Sequence, residues 1–100
     1  LPTHFETETF AHEFGNLSKE QKSAFLTVLV RFIEDLVAKE ADAGSTFRAS
    51  LRVKPYRSSE PGVLEMTWDG DGRALFQFGT SPVSGMLHIE WLRVGTHEIF

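Results

Sequence analysis

Between Ser18 and about Ala43 the apolar residues Phe25, Leu26, Leu29, Phe32, Ile33, Leu36 and Val37 recur at spacings of three and four. That period gathers them on one face of a long amphipathic helix, which can be stable only if another layer covers the face. Leu17-Ser18 followed by Gln21 reads as an N-cap with its capping-box partner, and Gly44-Ser45 as the stop. At Gly44 the period changes to two. Phe47, Ala49, Leu51 and Val53 alternate with Arg48, Ser50, Arg52 and Lys54, the pattern of a half-buried strand with a basic face.

Upstream, Phe5, Phe10 and Phe14 lie among Thr, Glu and His, which suggests a short first strand running into a short helix that ends at Gly15-Asn16. Downstream, a turn-rich stretch from Pro55 to Gly62 leads into Val63 to Trp68. Asp69-Gly70-Asp71-Gly72 then makes a tight connection into Arg73 to Phe78, a hairpin signature. Gly79 to Gly85 forms the next loop and Met86 to Val94 the last strand. We therefore expect an α+β fold: one domain over residues 1–100, with two N-terminal helices packed on one face of a small antiparallel sheet. With 100 residues, 41% of them hydrophobic, there is material for one core. A helical layer covers one sheet face, so the other is solvated or binds something. Alternation directs Arg52, Lys54, Glu65, Thr67, Arg73 and Gln77 to that open side.

Composition narrows the chemistry. The absence of cysteine excludes disulfides and thiolate metal sites. No apolar run approaches the roughly 20 residues of a membrane span, and the N-terminus lacks a signal pattern, so we expect a cytoplasmic protein with no membrane partner. A net charge of -4 argues against general nucleic-acid affinity. The average hides an asymmetry, because residues 1–46 carry four basic and eight acidic side chains and residues 47–100 carry six of each. Arg48, Arg52, Lys54 and Arg57 form a run with no acid among them, either a charged strand edge that resists sheet-to-sheet pairing or a strip that faces phosphate. His4, His12, His88 and His97 show no ligand spacing, and Asp69-Gly70-Asp71-Gly72 lacks the downstream Glu of a calcium loop. We expect no metal and no cofactor.

The strand Val63-Leu64-Glu65-Met66-Thr67-Trp68, the strand Gly72-Arg73-Ala74-Leu75-Phe76 and the terminal Val94-Gly95-Thr96-His97 followed by an aromatic residue together resemble the RelE/ParE toxin superfamily. The chain is similar in particular to RelE-type ribosome-dependent mRNA interferases, including the histidine-bearing YafQ-like branch and phage-derived Gp49-like relatives. The resemblance implies the toxin of a type II toxin–antitoxin pair, with a cognate antitoxin, mRNA and the ribosome as partners. It implies that Arg73 steadies phosphate charge, that His97 holds the C-terminal position where relatives place His or Arg, and that Glu65 is the carboxylate of the strand motif. Phe100 lies near the position of a terminal Tyr or base-stacking Phe. The lysine pair of some members is absent, with Leu64 and Met66 in its vicinity.

Metal-independent RNA cleavage uses the 2′-hydroxyl as nucleophile and needs a base, an acid and positive charge on the crowded phosphorus. An imidazole, with an ordinary pKa of about 6.5, lets His97 act as acid or base. Glu65 is its partner carboxylate. Arg73 is a permanent cation whose fork matches two phosphate oxygens. Arg48, Arg52, Lys54, Arg57 and Phe100 would hold the RNA. Plainer readings compete: His97 as a surface residue, Glu65 as a structural partner of Arg73 across the hairpin, Trp68 and Trp91 as core. The alternative function is a non-catalytic interaction module, either a ParE-like gyrase-binding toxin or a degenerate family member. The negative charge and the missing lysines favour it.

Overall fold

A computed structural model describes residues 2–100, and of Ile99 the backbone alone. The chain runs through strand β1 (Thr3–Glu6), helix α1 (Glu8–Gly15), helix α2 (Lys19–Ala41), a 3-10 turn (Ala49–Leu51), strands β2 (Lys54–Pro55), β3 (Leu64–Thr67), β4 (Gly72–Gly79) and β5 (His88–Thr96), and a closing 3-10 turn (His97–Ile99). The sheet order is β1-β5-β4-β3-β2. Strands β2 to β5 form an antiparallel meander, and both helices cover one face of it, as the change of period implies. The edge differs from the all-antiparallel expectation: β1 pairs parallel with β5, Thr3 opposite His88 and Glu6 opposite Trp91. A parallel partner requires a long crossover, which the helices and the meander supply.

Both helix starts are fixed locally. Ser18 Oγ accepts from Gln21 N at 3.1 Å and Gln21 Oε1 accepts from Ser18 N at 2.8 Å, a complete capping box. Thr7 caps α1 by accepting from Phe10 N at 3.0 Å, while its own hydroxyl donates to the Leu92 carbonyl at 2.9 Å and ties the helix start to β5. Helix α2 stops at Asp42, whose extended backbone and carboxylate, accepting from Gly44 N at 3.0 Å, turn the chain before the glycine is reached.

The core is an aromatic layer. Phe32 of α2 meets Phe76 edge-on with ring centroids 5.0 Å apart and Trp91 at 5.2 Å, and Phe25 meets Trp68 at 6.0 Å. Each such side chain buries about 150–250 Å², and tilted or edge-on contacts suit the ring quadrupoles. Trp68 and Trp91 are therefore core residues. On β5 the buried residues Ile89, Trp91 and Val94 are spaced two and then three apart. A bulge allows this: Phe76 pairs with Trp91 and Leu75 with Arg93, which leaves Leu92 extra.

Two sequence expectations need correction. The alternating run from Phe47 to Lys54 is not a strand, because Ala49–Leu51 winds into a 3-10 turn and pairing is confined to Lys54–Pro55. Leu51 is buried in the core, with Phe47 packed against it, so the four-residue spacing serves a turn as well as it would a pleat. Arg52 then adopts a left-handed conformation (φ 51°) that ends any extended run, and Pro55 brings no N–H to a ladder. The last strand lies two residues later than expected, His88–Thr96, since Thr96 pairs with Gly72 at the start of the long β4. Among the described residues, no helix is long and apolar enough to cross a membrane.

Two predictions follow from this packing. A Cβ at Gly72 would overlap the Trp68 indole, so Gly72→Ala should cost about 1–3 kcal/mol, read as a lower urea midpoint by Trp fluorescence. A wild-type midpoint would refute the close approach. Arg48 grips Asp35 of α2 with Nε at 3.0 Å, Nη2 at 2.9 Å and its backbone N at 2.9 Å. The Arg48 hydrogen bonds hold the Asp35 carboxyl below its ordinary value. A depressed carboxyl contributes stability above its unfolded pKa of about 3.9 and loses it as pH falls through the folded value. Asp35→Asn should therefore lower the midpoint at pH 7, with the deficit shrinking as the pH is taken towards 3; a deficit of constant size would refute the linkage.

Candidate functional site

On the open face, a cleft of about 390 Å³ is lined by Ala49, Arg52, Val53, Lys54, Thr67 and Arg73. The register builds it: Lys54 lies opposite Glu65, and Thr67 opposite Arg73. The shielded Glu65 carboxylate (15% exposed) has Lys54 Nζ at 3.7 Å and Arg73 Nε at 4.0 Å, both on Oε1. These are loose ion pairs rather than hydrogen bonds, so the carboxylate keeps accepting capacity and the cations keep donors.

Arg73 is held by the hairpin turn. Its Nη1 donates to the carbonyls of Gly72 at 2.9 Å and Gly70 at 3.3 Å, while Nη2 has no protein partner among the described residues. The guanidinium is thus half anchored, with one edge left for a ligand. His97 is drawn to the same turn, its backbone N–H donating to the Asp71 carbonyl at 2.6 Å next to the Thr96–Gly72 pair. Its side chain is exposed. Residues far apart in sequence therefore bracket one four-residue turn.

The other sequence candidates separate from this cleft. Arg48 binds Asp35 and Glu34 on α2 and does not line it. Arg57 lies over the Tyr56 ring at 4.2 Å and pairs with Glu60 at 3.6 Å. Phe100 sits 6.4 Å from Tyr56 and 5.1 Å under the Arg93 guanidinium. Tyr56, Arg57, Arg93 and Phe100 form a second, aromatic and cationic cluster. Tyr56 and Arg93 gave no signal in the sequence, because Tyr56 lies in a turn-rich stretch and the bulge at Leu92 hides which way Arg93 points. Arg93 also holds Glu13 of α1 through Nε at 3.2 Å, and these hydrogen bonds raise its pKa above the ordinary value. Among the described residues, no three His, Asp or Glu side chains are grouped so as to hold a metal ion.

Arg52 is the one residue other than glycine with a positive φ among the described residues, and its exposed side chain makes no hydrogen bond or ion pair there. A left-handed conformation costs a residue with a Cβ about 1–2 kcal/mol. Glycine would remove that strain and lose about 0.5–1 kcal/mol through its freer unfolded chain. The two nearly cancel, so Arg52→Gly should leave unfolding free energy within about 1 kcal/mol of wild type, whereas Arg52→Val should destabilise clearly; equal losses in both would show that the Arg52 side chain stabilises the fold.

No protein-family model matches the sequence, and no curated protein does either. Solved structures do match its fold. The structure of YafQ from E. coli superposes with a TM-score of 0.70 at 12% identity, covering 99% of this chain and 97% of that one. A chain of the E. coli DinJ–YafQ toxin–antitoxin complex gives 0.64 at 12% identity over 99% and 96%. The Mycobacterium tuberculosis toxin–antitoxin complex RelBE2 gives 0.56 at 20% identity over 96% and 99%. At these identities the likeness is one of architecture, and over nearly its whole length the chain has the fold of the RelE-like toxins.

Proposed function

We propose that the chain is the toxin of a type II toxin–antitoxin pair and cleaves ribosome-bound mRNA in the cytoplasm without a metal. The observation that carries this reading is the cleft itself: Arg52, Lys54 and Arg73 line it, Lys54 and Arg73 also flank the shielded Glu65 carboxylate, and the adjoining turn anchors the His97 backbone. The scissile phosphate enters against the free edge of Arg73 and the Lys54 ammonium, which stabilise the phosphorane. Glu65 removes the 2′-hydroxyl proton as the 2′-O–P bond forms. His97 gives a proton to the departing 5′-oxygen as the P–O5′ bond breaks, leaving a 2′,3′-cyclic phosphate and a 5′-hydroxyl. Three cations on a chain of net charge -4 give weak affinity for free RNA, which is consistent with a substrate presented by the ribosome.

The helical side supports the antitoxin half of the reading. Leu26 (51% exposed), Val30 (58% exposed), Ile33 and Val37 form an apolar stripe along α2 at spacings of four, three and four. It borders a groove of about 340 Å³ between α2, α1 and β1. An apolar stripe at that spacing suits an amphipathic helix of a partner. Three of the matching structures are complexes, two of DinJ with YafQ and one of RelBE2.

Inducible expression in bacteria with mapping of mRNA 5′ ends tests the activity. Growth arrest with new cuts is expected, with cleavage reduced about 10²–10⁴-fold in His97→Ala and in Arg73→Ala. Cutting unchanged in the double variant overturns the mechanism, and arrest without cuts favours the gyrase-binding alternative. For the partner, Val30→Asp with Ile33→Asp should leave arrest intact and abolish its relief by the product of an adjoining short reading frame. Relief that persists would place the antitoxin elsewhere.

A further inference from the structure

A second cleft, of about 300 Å³, adjoins the first and is lined by Lys39, Thr46, Phe47, Arg48 and Arg52 among others. The two share Ala49, Arg52 and Val53. We infer that this second cleft is a phosphate subsite that holds a neighbouring phosphate of the single-stranded RNA whose scissile phosphate lies against Arg73. The inference rests on the RNA-directed reading above and extends it to Lys39, which that reading does not use.

Three features support it. Among the described residues no carboxylate lines the second cleft, and Asp35 and Glu34 of α2, which meet its Arg48, are engaged by that arginine. Lys39 is held in place, with Nζ donating to the Ser45 carbonyl at 2.8 Å and lying 5.5 Å from the Phe47 ring centroid, and two of its three donors remain. An ordered ammonium loses less entropy on binding an anion than a swinging one. Arg52, with no protein partner among the described residues, stands in the wall common to both clefts, in a backbone conformation that a residue with a Cβ adopts at a cost. Strain at a solvent-exposed arginine that contributes no contact to the fold is explained if its side chain is placed for a ligand. A polyanion with regularly spaced charges fills two adjoining clefts joined by one cation, whereas a single free phosphate fills one.

The test is fluorescence anisotropy with labelled, non-cleavable 2′-O-methyl RNA of two and of six nucleotides. The chains compared are wild type, Lys39→Gln, Arg52→Gly, Arg73→Ala and a control at the far end of α2, Lys19→Gln, each checked for an unchanged circular dichroism spectrum. Lys39→Gln is expected to weaken the six-nucleotide RNA about 3–10-fold at low salt and to reduce the slope of log affinity against log salt by about 0.7, one single-strand phosphate contact. It should leave the dinucleotide unchanged, and Lys19→Gln should leave both unchanged. Arg52→Gly should weaken both lengths, since Arg52 serves both clefts, and Lys39→Arg should restore the longer RNA. If Lys39→Gln binds the longer RNA like wild type while Arg52→Gly and Arg73→Ala do not, the second subsite is wrong and the first reading stands. If Arg73→Ala is also without effect, the open face is not an RNA site and both fail. Weakening confined to a hexaglutamate peptide, with RNA unaffected, would assign the cleft to an acidic peptide and overturn the inference.

Discussion

The contact of Phe25, Phe32 and Leu36 of α2 with Trp68, Phe76 and Trp91 of the sheet decides everything else in this molecule. A small sheet has two faces and this chain has helices for one. Once Trp68 at the end of β3, Phe76 of β4 and Trp91 of β5 commit to that side, the pleat sends Glu65, Thr67 and Arg73 to the other. The open face is therefore a consequence of the core. A one-residue slip in register would exchange the two sets, which the large rings on the covered side forbid.

The turn from Asp69 to Gly72 connects the core to the candidate site. On one side, Gly72 lies against the Trp68 indole, where there is no room for a Cβ. On the other, carbonyls of the turn hold Arg73 and the Asp71 carbonyl holds the backbone of His97. A group fixed by backbone carbonyls on a packed turn loses little entropy when a ligand arrives. The same logic applies to Lys39, whose tether is the Ser45 carbonyl.

Charge is distributed rather than abundant. Arg48 and Arg93 bind α2 and α1 through bidentate contacts to Asp35 and Glu13, so two of the arginines in the second half of the chain hold layers together. Arg52, Lys54 and Arg73 meet carboxylates only in loose ion pairs or not at all, although Arg73 also donates to carbonyls of its own turn. A count of basic residues cannot separate these groups, because the difference lies in partners supplied by helices many positions away. Spending so few cations on the open face leaves it suited to a phosphate delivered in place rather than to capture of free RNA.

Whatever depends on neighbours a few residues apart was legible in the sequence. Helix α2 with its capping box follows from a period of three and four and from Ser18 and Gln21, and the hairpin around Asp69 to Gly72 follows from turn chemistry. Alternation also placed Glu65, Thr67 and Arg73 on one face, where the register sets Thr67 opposite Arg73; Lys54 joins them through its pairing with Glu65 and not through the alternation of the run before it. Tertiary structure decided the rest. The run from Phe47 to Lys54 alternates like a strand, yet Leu51 sinks into the core and Asp35 holds Arg48, so the backbone turns at Arg52 instead of extending. The parallel pairing of β1, the bulge at Leu92 and the meeting of Tyr56 with Phe100 likewise join segments far apart in the chain. Periodicity records which side of a residue is apolar; it carries no information about which distant partner will satisfy the other side, and that choice is made only when the layers pack.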